Sequence, residues 1–309
     1  MDSAADQAGT GGGMGDMAPQ KATAAAWFAE LQDRIAAAFE RLEDEQATGP
    51  HADLAPGRFE RSETRRATEA GDDGGGGTMA VMRGGRVFEK VGVNVSAVHG
   101  RLGERAQRSL TSRKDLPGLA EDPRFWASGI SLVAHMRSPK VPAVHMNTRF
   151  FWTPVGWWFG GGSDLNPMRE VAEDTAFFHG VLARACAPHG DDLYPRYKAW
   201  ADEYFFITHR GEARGVGGIF YDDHCSGDWG ADFAFTQDVG RAFLDAYVPV
   251  VERRRDEPWT DEDRAHQLFR RGRYAEFNLV YDRGTRFGLE TGHNIDAVLM
   301  SMPPQASWP

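Results

Sequence analysis

From residue 23 the apolar positions recur at spacings of three and four. Trp27, Leu31, Ile35, Ala38 and Leu42 fall on one side, which is the stripe of an amphipathic helix. Thr23 stands where a cap belongs, and Gly49 and Pro50 stand where the helix has to stop. Ahead of it, residues 1–22 are rich in Gly, Ala, Asp and Met, with too few large apolar groups to repay ordering, so a disordered tail is expected. A polar stretch with glycines through 71–77 reads as a loop. The period then drops to two: over 87–97, Val91, Val93, Val95 and Ala97 alternate with Gly92, Asn94 and Ser96, as in a strand. Asn166 before Pro167 marks a helix start that runs to about Cys186, with the glycines of WWFGGGSDLNP forming a strand-to-helix turn ahead of it. Pro195 opens another helix. Further helices are expected over 236–248 and 261–271, then strands near 276–282 and 297–301. Strands and helices in irregular order, without an internal repeat, predict an α+β fold. The expected form is a single domain over 23–309 with a large, mainly antiparallel sheet covered by helices on both faces.

The pattern is most informative in ISLVAHMRSPKVPAVHMNTRFFW, residues 130–152, where two alternating stretches flank a Pro-containing connection. Ser131, Val133, His135 and Arg137 share one face of the first, and His145, Asn147 and Arg149 share one face of the second; the even positions are mostly apolar. A hairpin centred near Lys140 sets His135 opposite His145 and Ser131 opposite Arg149. Two readings stand side by side here. The face is either the solvated side of an antiparallel sheet, or a surface of directed donors suited to carboxylates.

Composition narrows the classes. A net charge of -10 leaves no surplus of Lys and Arg to neutralise phosphates, which excludes non-specific nucleic-acid binding, and an anionic small substrate needs a local basic pocket. No run approaches the roughly 20 apolar residues of a membrane-spanning helix. Two cysteines, Cys186 and Cys225, form no pair motif, and the N-terminus lacks the basic and apolar regions of a signal peptide, so a cytoplasmic setting is expected. Asp164 follows three glycines that permit close backbone approach, without the spacing of a phosphate loop. Of the histidines, His135, His145, His179 and His209 are far apart in sequence, and metal binding requires the fold to gather them.

Residues 197–223 read YKAWADEYFFITHRGEARGVGGIFYDD, and this resembles the signature of the aerobic coproporphyrinogen III oxidases. Further matching blocks are GRVFEKVGVNVSAVHG, VPAVHMNTRFF, WWFGGGSDLNP, RRGRYAEFNLVYDRGTRFGL and VLMSMPP, so the resemblance runs from about Gly74 to the C-terminus. It implies oxidative decarboxylation of two propionates of coproporphyrinogen III to vinyl groups in haem biosynthesis. The products are protoporphyrinogen IX, carbon dioxide and hydrogen peroxide; oxygen is co-substrate, no organic cofactor takes part, and a divalent metal ion is an open requirement.

By the same resemblance His145 is a proton donor, with Ser131, Asn147, Thr148 and Arg149 as substrate contacts. His135, His145, His179 and His209 correspond to proposed metal ligands. Asp164, Asp282 and Arg283 correspond to residues implicated in holding the macrocycle. Asp164 is also expected to be catalytic, as a base or by accepting hydrogen bonds from pyrrole N–H groups. Residues 274–309 correspond to a homodimer contact. Gly292, His293 and Asn294 depart from the family's Gly-x-Arg, so backbone or His293 contacts to a substrate carboxylate are expected there. Two rivals remain at this point: a histidine-metal oxygenase or hydrolase, and a porphyrin-binding protein that has lost turnover.

Overall fold

The computed structural model describes residues 15–49, 51–68, 71–290 and 294–308. In chain order the elements are α1 (Ala18–Glu45), β1 (Glu60–Ala67), β2 (Asp73–Arg83), β3 (Phe88–Arg101), α2 (Glu104–Thr111), β4 (Arg124–Met136), β5 (Ala143–Thr153) and β6 (Gly156–Asn166). There follow α3 (Ala172–Cys186), α4 (Leu193–Tyr204), the short β7 (Phe206–Ile207) and β8 (Glu212–Ala213), β9 (Gly218–His224), α5 (Trp229–Arg254), α6 (Asp261–Val280), α7 (Arg283–Glu290) and α8 (Ile295–Val298). Among the described residues β1 to β6 and β9 make one antiparallel sheet of seven strands in that order. The α+β class and the predominance of antiparallel pairing follow the pattern of the sequence.

Alternation divides the sheet into two unlike faces. Val91, Val93, Ile130, Leu132, Val144, Met146 and Phe150 point to one side and are buried with Phe28, Leu31, Ile35 and Phe39 of α1 and Phe243 and Tyr247 of α5. Burying each such side chain contributes about 1.5–3 kcal/mol, so this layer holds the fold together. Glu43 of α1, fully buried, accepts the backbone N–H groups of Gly57, Arg86, Val87 and Phe88 and ties the helix to the approach to β3. The other face carries polar groups; Phe125, Ala127 and Phe151 at one end pack against Leu102, Leu116 and Leu119, and the C-terminal segment covers the other end. There Lys90 donates to the Met302 carbonyl, Asn94 to that of Ala297, and His135 to that of Ser301.

Several local expectations change. The first helix begins at Ala18, with Pro19 in its first turn, and Thr23 is not its cap: its hydroxyl bonds to the Pro19 carbonyl inside the helix. Residues 1–14 of the expected tail lie outside the described residues. The glycines of 74–77 are strand, not loop. They permit a tight approach to β1 and β3, since a Cβ at Gly76 would sit 2.1 Å from the Thr64 carbonyl oxygen and one at Gly77 1.9 Å from that of Val95.

WWFGGGSDLNP is likewise the interior of β6, and α3 starts at Ala172 rather than at Pro167. The expected strand at 276–282 is the end of α6, and that at 297–301 is α8 and a 3₁₀ turn. In the first of these, Tyr274, Phe277 and Tyr281 share a helical face while Leu279 and Val280 are exposed, a period of 3.6 that a short apolar run conceals.

Candidate active site

β5 lies at the centre of the polar face. Its odd residues are paired with Val133 and Ser131 of β4 on one side and with Asp164, Gly162 and Gly160 of β6 on the other. Asn147 is opposite Ser131, and His145 is opposite Val133, two residues from the expected pairing with His135. A shift of two keeps every side chain on its face, so the predicted polar surface survives an error in register.

Along this face runs a continuous chain of hydrogen bonds. Arg149 donates to Asn147 Oδ1 at 3.2 Å, and Asn147 Nδ2 lies 3.2 Å from His145 Nε2. His145 Nδ1 lies 2.8 Å from Asp164 Oδ1. Arg214 donates to both Asp164 oxygens at 2.8 and 2.7 Å, and Asn166 Nδ2 donates to Oδ2 at 2.8 Å. A guanidinium only donates, so Asn147 turns its oxygen to Arg149 and its amide to His145, and Nε2 is the ring's acceptor. Nδ1 therefore carries the proton and gives it to the carboxylate. The tautomer of His145 is thus set from both ends.

Asp164 is 1% exposed. Burial pushes its carboxyl up, but the Arg214 guanidinium and His145 outweigh this and hold it below the usual carboxylate range. Arg214 is buried too, its charge lying 4.4 to 4.6 Å from the ring centres of Phe205, Tyr274 and Phe277, with a further bond to Asn278. Each Asp164 oxygen already accepts two hydrogen bonds, Oδ1 from His145 and Arg214 and Oδ2 from Arg214 and Asn166.

One of the three glycines, Gly160, has its reason in Arg149. A Cβ on Gly160 would come within 2.7 Å of Arg149 Nη2, and one on Gly129, on the other flank, within 2.8 Å of Arg149 Cβ. Missing side chains on both neighbours leave room for the guanidinium to lie across the sheet. Arg149 ends on Asp222 of β9, whose second oxygen bonds Arg113 at 2.8 Å and lies 3.5 Å from Arg283.

Other expected site residues fall elsewhere. Thr148 is an even residue on the apolar face, fully buried, so its side chain is not at the polar surface. Asp282 accepts from Tyr204 at 3.0 Å and from the Thr285 backbone N–H at 2.6 Å, the position of a cap on α7. Arg283 does reach the site, over the Tyr204 ring and toward Asp222. Gly292 and His293 lie outside the described residues, and Asn294 caps α8 through the Ala297 N–H.

The four-histidine metal set is corrected, because the fold does not gather it. His135 is buried against the Ser301 carbonyl, and burial, with Arg271 nearby, depresses its imidazole to about 3, which keeps it neutral. His179 bonds Tyr194 and the Val216 carbonyl, and His209 bonds Tyr281 and Glu276 on the surface. Among the described residues no group of three or more His, Cys, Asp or Glu side chains is placed to hold a metal ion. Within 197–223 it is Arg214, following the β7–β8 hairpin, that reaches Asp164, while His209 bonds Tyr281 and Glu276. Arg214 has no periodic pattern of its own in the sequence and stands only within the run that resembles the family signature.

A histidine held by a buried carboxylate lies beside arginines on one face of an antiparallel sheet, an arrangement able to carry acid–base chemistry on an anionic ligand. The family model described as coproporphyrinogen III oxidase matches residues 23–309, and the chain belongs to that family. It is 50% identical over 282 residues to a protein of Rickettsia bellii (strain RML369-C), covering 91% of this chain and 96% of that one; the relative is named oxygen-dependent coproporphyrinogen-III oxidase. A relative of the same name from Rickettsia peacockii (strain Rustic) is 46% identical over 288 residues, covering 93% and 98% of the two chains.

Proposed function

We propose that the polar face catalyses the oxygen-dependent decarboxylation of two propionates of coproporphyrinogen III to vinyl groups, forming protoporphyrinogen IX in haem biosynthesis. For each propionate the β C–H bond and the bond to the carboxylate carbon break, and carbon dioxide leaves. Two electrons pass to oxygen, which takes the β hydrogen and one further proton and departs as hydrogen peroxide. His145 relays that proton through Nε2, which takes it up from solvent and then gives it to the departing peroxide, and its Nδ1–H bond to Asp164 keeps Nε2 facing the substrate. Asp164, locked by Arg214, is a positioning residue. Arg149 and Arg283 bind substrate carboxylates, with Ser131 and Asn147 as neutral contacts on the same face.

The observation that carries the reading is the Asp164–His145 pair, buried on the carboxylate side and 13% exposed at the imidazole, next to Arg149. Oxygen is the oxidant and the reading draws on no organic cofactor. The described residues do not fit a divalent metal, and no step is assigned to one. A cytoplasmic setting and a homodimer through residues 274–309 belong to the same reading. No helix among the described residues is long and apolar enough to cross a membrane. Exposed Leu279, Val280, Leu289 and Ile295 supply apolar surface in that C-terminal part.

The test is purified, chelator-treated protein with coproporphyrinogen III, in air and without oxygen, products separated by chromatography. Protoporphyrinogen IX in air alone supports the reading, and its absence in air overturns it. His145→Asn should lower kcat by about 10²- to 10⁴-fold with the fold intact.

A further inference from the structure

One carboxylate on the polar face serves three guanidinium groups. Asp222, 13% exposed at its side chain, takes Arg149 on Oδ1, Arg113 on Oδ2 at 2.8 Å, and Arg283 at 3.5 Å. Burial pushes Asp222 up, but Arg149 and then Arg113 hold it below the usual carboxylate range. The three arginines come from separate parts of the chain: Arg149 from the middle of the sheet, Arg283 from the start of α7, and Arg113 from the turn after α2. Lys114 extends the group, its ammonium 4.7 Å from the Trp158 ring centre.

Against Arg113, Arg149, Arg283 and Lys114 stand Asp222, Asp223 beside Lys114, and Asp282, whose bonds to Tyr204 and the α7 backbone leave its charge in place. The cations therefore outnumber the acids by one in a chain of net charge -10, which suits an anionic ligand.

We infer that Arg113 is a substrate-carboxylate residue, and that Asp222 assembles Arg113, Arg149 and Arg283 into one receptor for neighbouring carboxylates of the macrocycle. The inference rests on the substrate reading above and adds to it a residue outside the predicted face. Two features of Arg113 suit it to this role. Its Nε is anchored on the Ser109 carbonyl at 3.1 Å, and its side chain remains 37% exposed. Asp222 occupies one edge of each fork and leaves donors on the others free for a ligand oxygen. The cluster also orders the reaction, because a product with two carboxylates fewer is held less tightly than the substrate.

Coproporphyrin III, the fully oxidised tetracarboxylate macrocycle, serves as a probe that does not turn over. Fluorescence titration of the full chain over a range of salt concentrations should give about tenfold weaker binding for Arg113→Gln, with a shallower salt dependence. KM for coproporphyrinogen III should rise to match, kcat should stay within about threefold, and Arg113→Lys should recover part of the loss. Binding and salt slope unchanged in folded Arg113→Gln overturn the inference. Should that variant not fold, phenylglyoxal modification of Arg113 in the unaltered chain decides, read by mass spectrometry: coproporphyrin III should protect it, and equal modification with and without ligand overturns the claim. Wild-type protein that binds the probe but forms no vinyl product defeats the catalytic reading alone.

Discussion

At the scale of single residues, the proposed site rests on a buried carboxylate, Asp164, bonded to His145 and Arg214. Asp164→Asn removes the negative charge and one of the two acceptor oxygens that hold His145, Arg214 and Asn166, so the His145 tautomer is no longer fixed and the Arg214 charge is stranded in the interior. A loss of about 3–5 kcal/mol of stability and a large loss of turnover are expected. The double variant Asp164→Asn/Arg214→Met should regain most of the stability, because no unpaired charge remains, yet stay inactive; recovered activity would refute the positioning role. Gly160→Ala makes a narrower case. The new methyl meets the far end of Arg149, a flexible group, so thermal stability should barely move. The guanidinium has to leave its place, and KM for the tetracarboxylate should rise about tenfold with kcat little changed. The residues behind these predictions were unequally legible. His145, Asn147 and Arg149 showed themselves by alternation alone. Arg214 and Asp222 did not, since an arginine after a two-residue strand and an aspartate in Tyr-Asp-Asp have no pattern until the sheet brings them to β5 and β6.

At the scale of elements, α6 and the C-terminal segment are held to the sheet by charged and polar groups more than by apolar packing. Glu89 binds Arg264 and Arg271, Gln267 and Arg271 donate to the Met136 carbonyl, and His135 donates to that of Ser301. Two of these groups titrate with the same sign. His135 is depressed to about 3 by burial, so the unfolded chain takes up its proton first; the stability it contributes is whole above pH about 6.5 and falls as pH drops toward 3. Burial raises Glu89 but its arginines bring it to about 2, so its contribution is whole above about 4.5 and is lost toward 2.

Acid should therefore loosen α6 and residues 294–308 before the rest. Hydrogen exchange between pH 7 and 4 should show their amides losing protection ahead of β3 to β6. Glu89→Gln should cost about 2 kcal/mol at pH 7, after allowance for solvent screening, and flatten the acid limb below pH 4.5. These are the elements that pattern reading assigned to strands. An apolar run such as FNLVY fits either period, and its tertiary partners decide: Tyr274 and Phe277 meet Arg214 and Phe205 only when wound as a helix.

For the whole molecule, the sheet divides into an apolar face that carries most of the packing and a polar face that carries the candidate site. α1 and α5 cover the apolar side; the C-terminal part covers one end of the polar side and presents Leu279, Val280, Leu289 and Ile295 to solvent. A homodimer through this surface should appear by size-exclusion chromatography with light scattering at about twice 34 kDa. Leu279→Glu with Ile295→Glu should yield a monomer; a monomeric parent chain would refute the proposal.

The residue order alone was enough for the α+β class, for β3 to β5 and their faces, and for the family, because period-two alternation and contiguous motifs are local and survive a shift of register by two. Tertiary structure decided which polar groups became a site. Burial and cross-strand neighbours fixed the tautomer of His145, emptied Gly129 and Gly160 around Arg149, and joined Arg214 to Asp164. They also separated four histidines whose positions along the chain gave no sign of being apart in space. Distances between residues remote in sequence, and the loss of water that makes a charge pair consequential, exist only once the chain has folded.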